Sequence, residues 1–182
     1  MSITGAQCWP DFVAQVKVML RSVAESDLPA LEWWGWHDAH REIIRSVFEQ
    51  SLRGESVMIV ADSGGFPIGQ AWIDLMTNKY KGAGVLWAVR VIPGFRGCGI
   101  GSRLILAAEQ SLRNLGYEMA EIGVELGNEG ARHLYRKMGY REIGRELDNR
   151  TYRDPGGTER ALITDQWILR KSLSGDVGSS AA

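Results

Sequence analysis

The feature that most constrains this chain is a glycine-rich segment in mid-chain, Arg96-Gly97-Cys98-Gly99-Ile100-Gly101. It follows an apolar run at 85–92 that predicts a buried strand, and it precedes an amphipathic stretch at 102–115 that predicts a helix. A turn from a strand into a helix leaves backbone N–H groups unpaired at the positive end of the helix dipole. Glycine lets a ligand approach that backbone closely. We therefore expect a phosphate-binding turn that ends at Ser102.

The glycine spacing bears on which kind of phosphate turn this is. Gly94 and Gly99 have the separation of a P-loop, but Ile100 stands where that loop needs lysine. The run Gly97-x-Gly99-x-Gly101 puts Ser102 where a dinucleotide fingerprint needs its third glycine. Glu121 follows at about 20 residues, the range of the ribose-binding acid in that fingerprint. A dehydrogenase and a tight turn without a ligand both stay open as alternatives.

A second informative segment covers 128–140. Apolar residues at 131, 134, 135 and 138 share one face of a predicted helix. Asn128 suits the N-cap of this helix, and Gly139 suits its end.

Together the two segments resemble the GNAT superfamily of N-acetyltransferases. The pattern Arg-x-x-Gly-x-Gly after a strand is followed downstream by Asn-x-x-Ala-x-x-Leu-Tyr-x-Lys-x-Gly-Tyr, and the close match covers 85–146. The resemblance implies an α/β fold of the α+β type, the GNAT fold, with about seven strands in a mixed sheet flanked by about four helices. We expect one acetyltransferase domain over 1–171 and a disordered tail over 172–182.

The expected order of elements agrees with that fold. We predict strands at 16–23, 57–61, 68–75, 85–92, 118–126, 141–147 and 162–171, and helices at 26–34, 38–52, 102–115 and 129–138. The mixed-charge segment at 148–159 is predicted to be a loop that covers the substrate.

Charge and composition exclude several classes of protein. A formal net charge of -1 gives no strong field for nucleic acid or an acidic membrane. Cys8 and Cys98 form neither a disulfide framework nor a metal cluster. We see no signal peptide and no membrane span, so we expect a cytoplasmic protein without a metal. Homodimers are common in the resembled family, but no segment here indicates one.

The resemblance implies acetyl-CoA (coenzyme A) as the cofactor. Its pyrophosphate would lie on the backbone N–H groups from Arg96 to Ser102. Its pantetheine amides would pair with the strand edge at Val89 and Val91, as an added peptide strand would. Asn128 would cap its helix and also contact the pantetheine. A partner for the 3′-phosphate is expected among the basic residues Arg103, Arg132, Arg136 and Lys137.

The resemblance also implies direct attack of an amine on the thioester. Tyr135 matches the family's acid, which protonates the leaving thiolate; a purely structural role in the core is the alternative. Glu121 is our preferred base, acting through water, with Asp74 and Glu32 as other carboxylates near the site. An acyl-cysteine at Cys98 is disfavoured, because the phosphate turn lies far from the thioester.

The acceptor is the least constrained part. We expect Glu32, Trp33 and Asp74 to bind substrate, although Trp33, Trp34 and Trp36 also suit packing against the next helix. A small-molecule primary amine is the favoured acceptor. A peptide N-terminus, a protein lysine, and a non-catalytic acyl-CoA-binding regulator are the alternatives.

Overall fold

Seven strands form one mixed sheet in this computed structural model, which describes residues 15–33, 40–153 and 159–174. The strands are β1 (Met19–Ser22), β2 (Ser56–Ser63), β3 (Phe66–Asp74), β4 (Ala83–Val91), β5 (Met119–Glu125), β6 (Arg141–Arg153) and β7 (Glu159–Ser172). Their order in the sheet is β1-β2-β3-β4-β5-β7-β6. Neighbouring strands are antiparallel, apart from the parallel pair of β4 and β5. The predicted fold class and strand number are confirmed.

Three α-helices occur among the described residues, where four were predicted: α1 (Arg41–Leu52), α2 (Ile100–Asn114) and α3 (Glu129–Lys137). The predicted helix at 26–34 is wrong. The chain forms two separate 3-10 turns there, Glu25–Asp27 and Ala30–Glu32. Pro29 lies between them and has no N–H to continue a helix. Trp33 then has a φ of 45°, which ends the second turn in the left-handed region.

The sheet buries a different core on each side. We call the side under α2 and α3 the α2 face, and the side under the 3-10 turns and α1 the α1 face. The α2-face core includes Ile73, Leu86, Leu104, Ile105, Leu112, Ile122, Tyr135 and Leu169. The α1-face core includes Leu28, Leu31, Ile44, Val47, Met58, Val60 and Trp72. Successive apolar residues along a strand belong to the two cores in turn, because successive side chains point to opposite faces.

Two contacts fix α2 on the sheet. A side-chain carbon at Gly84 would overlap the Leu112 side chain, so glycine permits the close approach of β4 to α2. Glu109 of α2 is fully buried and accepts two hydrogen bonds from Lys171 Nζ of β7, at 2.9 and 2.8 Å. A buried carboxylate of this kind needs a cation as its partner. The pair therefore joins α2 to β7.

The β6–β7 hairpin is longer than predicted. Its backbone pairing continues from Asp148–Thr164 to Arg153–Glu159, so most of the predicted loop at 148–159 is strand. Polar residues suit both faces of a ribbon that leaves the sheet, and Thr151 and Tyr152 favour extended backbone. β5 accompanies β7 only from Gln166 to Ser172, and the rest of the hairpin has two strands.

Some sequence predictions fall outside the described residues: those for Cys8, Trp34, Trp36 and the tail beyond 174. Within the described residues, no helix has the length and apolarity needed to cross a membrane. The same part of the chain holds no group of His, Cys, Asp and Glu side chains suited to a metal ion.

Candidate active site

The parallel strands β4 and β5 separate part-way along their length. Ala83–Leu86 pairs with Met119–Ile122, and Leu86–Ile122 is the last facing pair. Beyond that pair, β4 continues to Val91 beside β3, while β5 continues to Glu125 beside β7. The separation creates a gap in the middle of the sheet, lined by the edge of β4.

A bulge shapes this edge of β4. Trp72 of β3 faces Trp87 and Gln70 faces Arg90, so β4 has one extra residue between these pairs. Ala88 lies there with a φ of 50°, a left-handed conformation that is rare for a residue with a side chain. A bulge of this kind increases the local twist and redirects the backbone that follows it.

After the bulge, the peptide groups of Val89 and Val91 face the gap. The N–H of Ile92 donates to Ile68 O on β3 at 3.0 Å, so the preceding residue, Val91, faces the opposite side. Arg96 Nε donates to Val91 O at 3.0 Å, which agrees with this direction. Val89 lies two residues earlier and shares the direction by the alternation of strand backbone.

The glycine turn leads directly from this edge into α2. Gly97 and Gly99 have φ values of 78° and 79°, a backbone conformation that glycine adopts without strain. The N–H of Arg103 donates to Gly99 O at 3.1 Å, which is the first α-helical hydrogen bond of α2. The N–H groups of Ile100, Gly101 and Ser102 therefore lie in the first turn of the helix, where backbone donors have no helical partner. Cys98 in this turn is exposed.

The turn, the β4 edge and α3 meet at Gly101. A side-chain carbon placed on Gly101 would lie 3.8 Å from Leu134 Cδ2 and 4.0 Å from Val91 Cγ2. Leu134 immediately precedes Tyr135 on α3. The distant α3 thus lies with the turn and the β4 edge around one end of the gap. These segments carry the glycine turn, a strand edge that β5 leaves uncovered and a tyrosine.

Tyr135 lies in the α2-face core with 6% of its surface exposed. Its ring centroid is 6.2 Å from that of Tyr140. Burial raises the pKa of Tyr135 to about 12, because the phenolate would lose its hydration. The hydroxyl therefore stays protonated at neutral pH and can donate a proton. Asn128 holds the start of α3, since its Oδ1 accepts from Ala131 N at 3.1 Å.

Glu121 lies one row before the last β4–β5 pair, opposite Val85. Its Oε1 accepts from Arg170 Nε at 2.8 Å, and its Oε2 accepts from Asn78 Nδ2 at 2.6 Å. Glu121 is buried, and its two carboxylate oxygens are occupied, one by the partly exposed Arg170 and the other by the Asn78 amide. These contacts favour a positioning role over the predicted role as a base.

The structure places the three predicted substrate-binding residues in contacts within the protein. Glu32 accepts two hydrogen bonds from the Arg41 guanidinium, at 2.6 and 2.7 Å. Trp33 is buried in the α2-face core, where its Nε1 donates to Pro67 O at 2.8 Å. Asp74 closes the turn after β3 by accepting from Met76 N and Thr77 Oγ1. The structure does not bring these three side chains together.

Sequence reasoning missed the aromatic pair beside the gap. Trp72 and Trp87 lie edge to face on neighbouring strands, with ring centroids 4.8 Å apart and planes at 88°. Trp87 directly follows Leu86, the last β4 residue with a partner on β5. Gln70, two residues before Trp72, is fully buried. A lone amide within the run Ile68-Gly69-Gln70-Ala71-Trp72-Ile73 was the available signal.

Comparison with known proteins gives a family match over most of the chain. A family model described as the acetyltransferase (GNAT) family matches residues 19–140. The curated mycothiol acetyltransferase of Propionibacterium freudenreichii subsp. shermanii is 24% identical over 110 residues. Those residues are 60% of this chain and 34% of that protein. The chain therefore spans about a third of the length of the curated relative that it matches.

Solved structures agree in fold along nearly their whole length. An N-acetyltransferase from Staphylococcus aureus Mu50 superposes with a TM-score of 0.69 at 19% identity, over 87% of this chain and 99% of that one. A ribosomal-protein-alanine N-acetyltransferase from Brucella melitensis superposes with a TM-score of 0.67 at 22% identity, over 85% of this chain and 99% of that one. PaiA N-acetyltransferase from Thermoplasma acidophilum, in complex with coenzyme A, superposes with a TM-score of 0.65 at 16% identity. The match covers 86% of this chain and 99% of that one.

Proposed function

Since the chain belongs to the acetyltransferase (GNAT) family, we propose that it transfers the acetyl group of acetyl-CoA to a primary amine of a small molecule. The observation that carries this proposal is the gap between β4 and β5, which opens after Leu86 and Ile122. The glycine turn follows at the end of β4, and α3 with Tyr135 lies against that turn. These observations bring a strand edge, the start of a helix and a buried tyrosine to one end of the gap, which supports the proposal.

The residues around the gap fit a CoA thioester. The N–H groups of Ile100, Gly101 and Ser102 would bind the pyrophosphate, aided by the helix dipole. The backbone of Val89 and Val91 would pair with the pantetheine amides, as a strand edge does with an added strand. For the 3′-phosphate we propose Arg103, since Arg132 and Arg136 both bind Glu142.

Bound acetyl-CoA would supply a thioester whose carbon–sulfur bond breaks as the acceptor nitrogen bonds to the acetyl carbon. We assign Tyr135 to protonate the departing sulfur. Its raised pKa keeps the hydroxyl protonated, and its place beside Leu134 puts it near the turn. Transfer of its proton to the thiolate lets the product leave as a neutral thiol, and solvent then reprotonates the tyrosine.

The attacking amine must be neutral. A lysine-type amine has a pKa of about 10.4, so its neutral fraction is small at neutral pH. Glu121 is held by Arg170 and Asn78, and we propose that it positions β5 beside the gap. The protein then selects the neutral amine from solution, and the excess proton of the new ammonium passes to water.

Thermal unfolding with and without acetyl-CoA is the first test, with NADH as the control ligand. A ligand that binds the folded state raises the unfolding midpoint by mass action. We expect acetyl-CoA alone to do so, and we expect release of free CoA thiol with at least one member of a panel of small amines. Stabilisation by NADH alone would replace the proposal with a dehydrogenase. Stabilisation by acetyl-CoA with no thiol release from small amines or amine-bearing peptides would indicate a non-catalytic acyl-CoA binder.

A further inference from the structure

Two neighbouring side chains on β3 carry buried polar atoms without partners. Gln70 is 0% exposed and Trp72 is 2% exposed. In the part of the chain that the structure describes, no hydrogen-bond partner meets Gln70 Oε1, Gln70 Nε2 or Trp72 Nε1. A buried polar atom without a hydrogen-bond partner destabilises the folded state. Three of them on residues i and i+2 form one cluster on the same face of the strand.

The fold pairs comparable atoms elsewhere. Trp33 Nε1 donates to Pro67 O at 2.8 Å, and Ser56 Oγ donates to Val47 O at 2.9 Å. Glu109 is fully buried, and its carboxylate accepts a hydrogen bond from Lys171 Nζ. Gln70 and Trp72 place three unpaired polar atoms at neighbouring positions on one face of the strand, and a ligand is one way to satisfy them.

The cluster lies close to the gap between β4 and β5. The Trp72 ring meets the Trp87 ring at 4.8 Å, and Trp87 is the first residue of β4 beyond its last pair with β5. Gln70 faces Arg90 across the β3–β4 pair, just past the bulge at Ala88. The cluster thus lies on the strand next to β4, whose free edge we assign to the thioester arm.

We propose that Gln70 and Trp72 form a subsite for a neutral amide group of the acceptor, so that the preferred acceptors are amines that carry a neighbouring amide. This inference rests on the proposed function. An amide has one C=O and at least one N–H, and the cluster offers the complement of both. The acceptor C=O accepts a hydrogen bond from Gln70 Nε2 or Trp72 Nε1, while its N–H donates to Gln70 Oε1.

The chemistry of the cluster also gives it selectivity. An ester keeps the C=O of an amide but replaces the N–H with an oxygen, which leaves Gln70 Oε1 facing another acceptor. Sites built from buried polar groups reject an analogue that leaves one of them unpaired. Neither side chain of the cluster carries a charge, which suits a neutral group on the acceptor.

The test compares alaninamide with alanine methyl ester, using release of CoA thiol and correcting kcat/KM for the neutral fraction of each amine. We expect the wild-type protein to prefer the amide by about tenfold or more. In Gln70→Leu this preference should fall to about one, because the Oε1 that distinguishes an amide N–H from an ester oxygen is lost. The unfolding midpoint of Gln70→Leu should equal or exceed that of the wild type, because an unpaired buried amide is removed.

Gln110→Leu is the matched control, since Gln110 is exposed on α2 and its amide pairs with Asn114. It should keep the full preference for the amide. Trp72→Phe retains an aromatic ring beside Trp87 but removes the indole N–H together with the five-membered ring, so it tests the subsite independently if Gln70→Leu does not fold. We expect it to reduce the preference as well.

Two results would overturn the inference while leaving the proposed function intact. One is equal use of amide and ester by the wild-type protein. The other is a preference that survives in Gln70→Leu and Trp72→Phe, which would mean that the cluster holds solvent only. Failure of the proposed function looks different: acetyl-CoA would not raise the unfolding midpoint, and no amine would release thiol.

Discussion

Arg170 binds Glu121 across the β5–β7 pair, with Arg170 Nε 2.8 Å from Glu121 Oε1. Asn78 Nδ2 donates to the other carboxylate oxygen, Glu121 Oε2, at 2.6 Å. The carboxylate that sequence reasoning chose as the base therefore joins β5 to β7 and to the loop after β3. Its position one row before the gap agrees with the positioning role that we propose.

We predict that Glu121→Gln keeps the pH dependence of the reaction. If neutral amine is selected from solution, kcat/KM for a lysine-type acceptor rises with pH towards the amine's own pKa of about 10.4, in the variant as in the wild type. Loss of the ion pair should lower the free energy of unfolding by about 1–3 kcal/mol, less than for a fully buried pair because Arg170 is partly exposed. Rate–pH profiles and denaturant unfolding measure the two effects.

The control for this variant is Glu118→Gln, an exposed glutamate just before β5. It should change neither the pH dependence of kcat/KM nor the free energy of unfolding. Selective loss of the rate at low pH in Glu121→Gln, with the high-pH rate retained, would instead restore Glu121 as the base.

Tyr135→Phe should lower kcat by about 10²-fold or more, the usual contribution of a positioned acid. Because burial raises the tyrosine pKa to about 12, the proton donor is fully present at neutral pH and is lost only as the pH rises through about 12. Single-turnover thiol release measures the chemical step. Tyr80→Phe, at an exposed tyrosine, is the control and should leave kcat unchanged; a Tyr135→Phe enzyme with full turnover would refute the assignment.

Gly99→Ala should weaken acetyl-CoA binding more than it weakens the fold. A side-chain carbon at Gly99 meets no protein atom within 4 Å, so the expected effects are strain at a φ of 79° and obstruction of the anion site. The strain is about 1–2 kcal/mol. Gly94→Ala is a matched control, because Gly94 also has open space and does not have a positive φ. Calorimetric titration with acetyl-CoA compares the two, and equal affinities would exclude the turn as the phosphate site.

Asp27→Asn should destabilise the protein at pH 7 and progressively less in acid. The Arg21 guanidinium, aided by Ala24 N–H, holds the pKa of Asp27 below its ordinary 3.8. A lowered folded-state pKa contributes stability above pH 3.8, and that stability is lost as the pH falls through the folded-state value. We expect a loss of about 1–3 kcal/mol at pH 7 in denaturant unfolding. Glu25→Gln is the exposed control. A difference in unfolding free energy between Asp27→Asn and wild type that persists below the folded-state and unfolded-state pKa of Asp27 would contradict this explanation.

Local patterns gave correct predictions where the physics is local. The glycine spacing predicted the turn at 97–101, and its positive φ values at Gly97 and Gly99 are those that only glycine adopts easily. The apolar positions at 131, 134 and 135 predicted α3, whose Asn128 cap is present. The predicted helix at 26–34 failed because Pro29 outweighs the apolar pattern around it.

The sequence by itself determined most of the elements, their order and the glycine turn, because each depends on residues within a few positions of one another. Tertiary structure decided which side chains are available for chemistry. Arg170 and Arg41 take the carboxylates of Glu121 and Glu32, while Gln70 keeps an unpaired amide beside the gap. A polar side chain is free or committed according to partners that lie far away in the chain, and no local pattern records those partners.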